Sequence, residues 1–155
     1  MGYTHYWTVK KSIDAGKFKK LSADCKMIVA RSSVTIVNGM GEGETKPIVN
    51  SESVTFNGEA EQSHETFDFG TDSSGFDFCK TARKDYDEVV VACLMRIRHY
   101  FPESVVDISS DAQNLNDIKE GVALYKEVFG QKELPRYVFG ICIFKAGKLN
   151  FEGEK

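Results

Sequence analysis

The sequence has no excess of positive charge. Its 155 residues carry 20 Lys and Arg against 23 Asp and Glu, for a net charge of −3 and a pI near 5.7. A general nucleic-acid binder would show a basic domain instead. Long apolar runs are also missing: the longest, such as residues 89–94, fall far short of a span of about 20 residues across a membrane. Residues 1–7 show no basic segment followed by an apolar one, so no secretory leader is expected. Gly2 stands where a myristoylated glycine would, but Tyr6 and Trp7 occupy the places that need Ser or Thr. No two of the four cysteines, Cys25, Cys79, Cys93 and Cys142, have zinc-knuckle spacing. Cys25 and Cys93 fall on apolar helical stripes and Cys142 in an apolar run, which reads as buried free thiols. These absences point to a reducing cytoplasm. No repeat, linker or low-complexity tract divides the chain. Its length suits one domain whose core needs neither disulfide nor metal.

What is present is a succession of periodic segments. Residues 3–10 alternate, with Tyr3, His5, Trp7 and Val9 on one face and Thr4, Tyr6, Thr8 and Lys10 on the other, the period of a strand. Ser12 is placed to cap a helix that carries Phe18, Leu21, Cys25, Ile28 and Val29 on one face, to about Arg31. Residues 34–37 are a short β-branched run. Residues 38–44, with three glycines, read as a turn region and not as a phosphate loop. No helix and no Lys-Ser or Lys-Thr follows, and Glu42 and Glu44 would repel phosphate.

Residues 52–59 read as a strand ending in an Asn-Gly turn. Two Phe-Asp-Phe triplets, at 67–69 and 76–78, flank a loop and read as a hairpin with one wet side. Asp85, with Glu88 three residues on, predicts a capping box. The helix it opens has Tyr86, Val89, Val90, Cys93, Leu94, Ile97 and Phe101 on its stripe and stops at Pro102. A short strand is expected over 105–108, and a third helix over 115–129, closed by Gly130. Residues 137–144 read as an apolar strand with a hairpin partner over 148–151. The order β-α-β-β-β-β-α-β-α-β predicts a single α+β domain, a mixed or antiparallel sheet with three helices packed on it.

Three constellations can carry chemistry. Lys80, Arg83 and Lys84 crowd the joint before the second helix. Cations there do nothing for the helix dipole, but a strand-to-helix joint suits a phosphate. Arg83 would grip two of its oxygens and the lysines would act as point charges. The plainer alternative is that the three pair with Asp77, Asp85 and Asp87 at the surface. The second constellation is Tyr3, His5, Tyr6 and Trp7. Aromatics stack on nucleobases, and histidine holds phosphate or shuttles a proton; alternatively the strand is buried on both faces, with a hydrogen-bonded His5. The third is Ser109-Ser110-Asp111, leaving a strand. Its hydroxyls suit ribose or phosphate oxygens and Asp111 suits a ribose diol, or the three simply form a helix-entry turn.

His64 contributes less. With Thr66 it makes one half of a paired His-x-Thr phosphodiesterase motif, but His5 does not supply the other half. With Glu65 it resembles the deaminase His-x-Glu, but the spacing is wrong, the two being adjacent, and no Pro-Cys-x-x-Cys follows. His99 suits the C-terminal dipole of its helix. No nucleophile elbow and no Cys-His pair is visible. No metal and no cofactor is expected.

Four segments together carry a resemblance: Gly-Tyr-Thr-His-Tyr-Trp at 2–7; Phe-Asn-Gly at 56–58 with His-Glu-Thr-Phe at 64–67; Phe-Cys-Lys-Thr-Ala-Arg-Lys at 78–84 with Tyr86-Asp87; and Ser-Ser-Asp at 109–111. Over about residues 2–130 the chain resembles a family of small uncharacterised proteins encoded by tailed bacteriophages and some bacterial genomes. Where that family tends to have Pro after the Arg-Lys pair and Gly after Ser-Ser-Asp, this chain has Asp85 and Ala112. The resemblance implies a viral setting, hence a host cytoplasm, and no particular reaction. The expected function is binding of a nucleotide-like, phosphate-bearing small molecule, with sequestration of a host immune signal as its use. The expected ligand-binding residues are Tyr3, His5, Tyr6, Trp7, Lys80, Arg83, Lys84, Ser109, Ser110 and Asp111. Two alternatives stay open: a hydrolase or phosphodiesterase acting on a nucleotide or phosphate ester, and a protein-binding inhibitor of a host enzyme. Homo-oligomerisation is open as well.

Overall fold

The computed structural model describes residues 2–150. The alternating aromatic run forms β1 (Thr4–Val9), with Tyr3, His5, Trp7 and Val9 buried along one face. Asp14, not Ser12, caps α1 (Ala15–Arg31), accepting the Lys17 N–H at 2.8 Å, because Ile13 turns into the core and moves the entry two residues on. Next come β2 (Ile36–Val37), β3 (Ile48–Val49), β4 (Ser53–Gly58) and β5 (Phe67–Gly70); the other three all pair antiparallel with β4. The expected Asn-Gly turn is absent: Asn57 and Gly58 lie inside β4. Buried Asn57 instead ties two loops, its amide donating to the carbonyls of Gly39 and His64 and its own carbonyl accepting the N–H groups of Gly58 and His64.

The chain then changes sheets. β6 (Gly75–Lys80) pairs with β1, so the two Phe-Asp-Phe triplets do not form one hairpin. Burial explains the split. Phe67 and Phe69 are fully buried against Trp7, Phe56 and Phe18, whereas Phe76 and Phe78 stand exposed on β6. α2 (Asp87–Tyr100) begins later than a capping box at Asp85 predicts. Tyr86 is drawn into the core, where its hydroxyl donates to the Glu65 carbonyl at 2.6 Å, and Glu88 accepts from Ser32 instead of reaching back to a cap. β7 (Val106–Ser110) lies on the other side of β1, which gives an antiparallel order β6-β1-β7.

α3 (Leu115–Phe129) is capped by Asn114 and closed by Gly130, whose φ of 92° suits glycine. α2 is central among the helices: residues 89–97 are all buried, and the helix packs on α1, α3 and β7. The single apolar strand expected over 137–144 is instead parts of two small hairpins, β8 (Tyr137–Val138) with β9 (Ile141–Cys142) and β10 (Phe144–Lys145) with β11 (Lys148–Leu149). Each turns on two residues with left-handed backbone, Phe139-Gly140 and Ala146-Gly147, the geometry of tight two-residue hairpins. Phe151, read as part of the last strand, lies outside the described residues. The architecture is α+β, and every strand pairing in it is antiparallel among the described residues. No described helix is long and apolar enough to cross a membrane.

Candidate functional site

Strand register brings together residues far apart in sequence. His5 of β1 lies opposite Cys79 of β6 and Ser110 of β7. β7 runs two residues beyond the expected 105–108, so Ser109 and Ser110 belong to the strand and only Asp111 leads out. The strand period then separates the two serines: Ser110 shares the inner face with His5, while Ser109 sits opposite Tyr6 on the outer face.

His5 is fully buried and both its ring nitrogens are engaged. Nδ1 is 2.8 Å from Ser110 Oγ and Nε2 is 2.7 Å from Asp87 Oδ1, on the first residue of α2. Thr81 Oγ1 donates to the same Asp87 oxygen at 2.6 Å, and the Ala112 N–H donates to Ser110 Oγ at 3.0 Å. Tyr3 meets the imidazole edge-on at 5.1 Å between centroids, and Phe139, at the turn between β8 and β9, lies 5.4 Å away. Burial, with Asp87 next, raises the Tyr3 pKa, so the phenol keeps its proton and donates to the Asp117 carbonyl at 3.3 Å.

The turn over residues 81–84 presents Arg83. The Thr81 and Ala82 N–H groups both reach the Tyr3 carbonyl, and Lys84 N–H closes the turn on Thr81. Ala82 and Arg83 are held at φ 51° and 60°, a left-handed pair without glycine. The Arg83 guanidinium lies 4.0 Å from the Tyr3 ring centroid and 3.6 Å from Asp117, with its side chain 57% exposed. Gly2, Tyr3, Arg83 and residues 110–113 line an open cavity of about 710 Å³.

The expected ligand residues therefore fall into separate places. Tyr3, Arg83, Ser110 and Asp111 share this cavity, with His5 behind it. Asp111 also holds the strand end, accepting the Thr4 N–H at 3.1 Å and the Tyr6 hydroxyl at 3.0 Å. Lys80, half-buried, runs beside Gly2. Tyr6 is on the outer face against Phe76, and Trp7 is in the core, 1% exposed, against Phe67. Lys84 lines a different cavity of about 310 Å³, together with Asp85, Asp87, Glu88, Asp117 and Glu120 as well as Arg83. Five carboxylates against two cations make that space, at the N-terminus of α2, electrostatically poor for an anion.

Asp87, Thr81 and Phe139 are the members of the site that the sequence did not single out. Asp87 reads as an ordinary first-turn acid, and nothing in the spacing links it to His5, 82 positions away. No group of three or more His, Cys, Asp or Glu among the described residues is placed to hold a metal ion. No family model, curated protein or solved structure matches the chain.

Proposed function

We propose that the protein binds a nucleotide-like, phosphate-bearing small molecule in the cavity beside Tyr3. In a phage setting it would do so in the host cytoplasm, taking up an immune signal of that chemistry. The observation that carries this reading is the presentation of Arg83. Its guanidinium lies over an aromatic ring, mostly exposed, on a turn of two left-handed non-glycine residues. Such backbone costs about 1–2 kcal/mol per residue, and strain of this kind collects at ligand sites. A guanidinium offers a planar fork to phosphate oxygens, and Ser110 lines the same space. The volume of about 710 Å³ is within the range of small-molecule sites. The surface pair with Asp117 competes only weakly with a phosphate.

Native mass spectrometry of the purified protein, with analysis of the supernatant after denaturation, is expected to find such a molecule bound. Arg83→Ala should weaken its binding by about 1.5–3 kcal/mol, the scale of a charged hydrogen bond, and leave the melting temperature almost unchanged. A sharp fall in melting temperature for this variant, with no nucleotide in a broad panel shifting the wild type, would make Arg83 a structural residue.

A further inference from the structure

We propose that Ser110 is a nucleophile, activated by His5 and oriented through Asp87, that cleaves a phosphodiester held in the cavity. The inference rests on the binding reading above for its substrate class, and on separate geometry for its chemistry. A buried histidine needs only two satisfied nitrogens. Here both partners are side chains, in a line Ser110–His5–Asp87 with contacts of 2.8 and 2.7 Å, and the serine end lines the open cavity. Ionised Asp87 can only accept, so the neutral ring carries its proton on Nε2 and leaves Nδ1 as the acceptor. Ser110 Oγ already accepts the Ala112 N–H, which leaves its own proton for Nδ1. Those are the roles of nucleophile, general base and orienting carboxylate. The ring is turned relative to the usual serine-hydrolase order, in which Nε2 faces the serine, but either nitrogen serves as a base. Thr81 fixes the Asp87 carboxylate from the side. Tyr3 and Phe139 cover the imidazole, which is 0% exposed.

The step balances with water alone. Ser110 Oγ bonds to phosphorus as its proton passes to His5 Nδ1, and the imidazolium is held against Asp87. The P–O bond to one ester group breaks, and His5 returns the proton to that leaving alkoxide. Water, deprotonated by His5, then releases the phosphomonoester from Ser110 and restores the hydroxyl. Arg83, the cation among the lining residues of this cavity, offsets the charge on the phosphoryl oxygens. Ser110 and His5 are catalytic residues in this scheme, and Asp87 is a positioning residue.

The test is covalent labelling of the full chain with diisopropyl fluorophosphate, read by intact mass and peptide mapping, with turnover of bis(p-nitrophenyl) phosphate alongside. One adduct on Ser110 is expected in the native protein. It should be absent from the urea-unfolded wild type, lost in Ser110→Ala, and at least tenfold slower to form in Asp87→Asn. Turnover should disappear with Ser110→Ala. The proposal is overturned if native Ser110 takes no label, or takes it no faster than the unfolded chain, a comparison that needs no variant to fold. It is also overturned if folded Asp87→Asn labels at the wild-type rate. Labelling needs no ligand, so loss of the binding reading shows separately, as a chain that labels at Ser110 but retains no phosphate-bearing molecule.

Discussion

At Ala82 and Arg83 the backbone has φ of 51° and 60°, a region that costs most residues energy and costs glycine none. The turn persists because the Tyr3 carbonyl takes two N–H groups from it, those of Thr81 and Ala82. Relief of strain and added unfolded-state entropy oppose each other on substitution by glycine. Ala82→Gly should therefore be neutral or stabilising by up to about 1 kcal/mol. The same change at Ala23, exposed on α1, should cost about 1 kcal/mol, the helix penalty of glycine. Urea unfolding of the two variants side by side checks the difference in sign. An equal loss at both would mean that the turn at 82–83 is unstrained.

Between elements, α2 fits closely against α3. Gly121 lies mid-helix, where glycine ordinarily lowers stability. Here a Cβ would run into the side chain of Val91 and come within 3.1 Å of the Glu88 carbonyl. Gly121→Ala should thus lose about 1–3 kcal/mol through overpacking, against the usual gain from replacing a helical glycine. Leu94, fully buried on α2, should lose about 2–5 kcal/mol on change to Ala. Calorimetric or denaturant unfolding measures both. The packing also bears on the site, because Asp87 is the first residue of α2 and Tyr3 bonds to α3 at Asp117. A shift of α2 would move the Asp87 end of the Ser110–His5–Asp87 line, and a shift of α3 would move the Tyr3 ring packed against His5.

Across the whole molecule, buried polar groups link the helices. Arg96 of α2 reaches Asp24 of α1 at 2.8 Å and Tyr125 of α3 at 2.8 Å, with Phe129 beneath its guanidinium. The interior also holds protons tightly. Burial, the largest cause, pushes the Cys79 thiol from its ordinary 9.0 up to about 12; burial also raises Tyr3, Tyr86 and Cys93. Between those values the native state binds more protons than the unfolded chain, so stability falls as pH rises. For Cys79 the contribution is intact below pH 9.0 and is lost as pH climbs towards about 12. The melting temperature should therefore drop progressively above about pH 9. Cys79→Ala should flatten part of that drop, as thermal unfolding across an alkaline series would show. A wild-type profile that is flat to pH 11 would contradict the burial of these groups.

Local pattern was sufficient where one period ran long enough to show a face. The strand over 4–9, the helices at 15–31 and 115–129 and the apolar stripe of α2 were legible in this way, since the spacing of apolar residues follows the backbone period. The ends were not. Caps at Asp14 and Tyr86 depended on which neighbour turned into the core, and that is a tertiary matter. The two Phe-Asp-Phe triplets are identical as local signals, yet one is buried and one exposed, because pairing partners and not propensity assigned them to different sheets. The site shows the same division. Aromatic, histidine, cation and serine segments stood out by residue type. Strand register decided that Ser110 and not Ser109 meets His5, and helix docking decided that Asp87 completes the line. A one-residue slip would have exchanged the two serines, because side chains alternate across a strand. The sequence by itself determined which residues have chemistry to offer. Only the tertiary structure decided which of them touch, since contacts 82 and 105 positions apart leave no periodic trace in the chain.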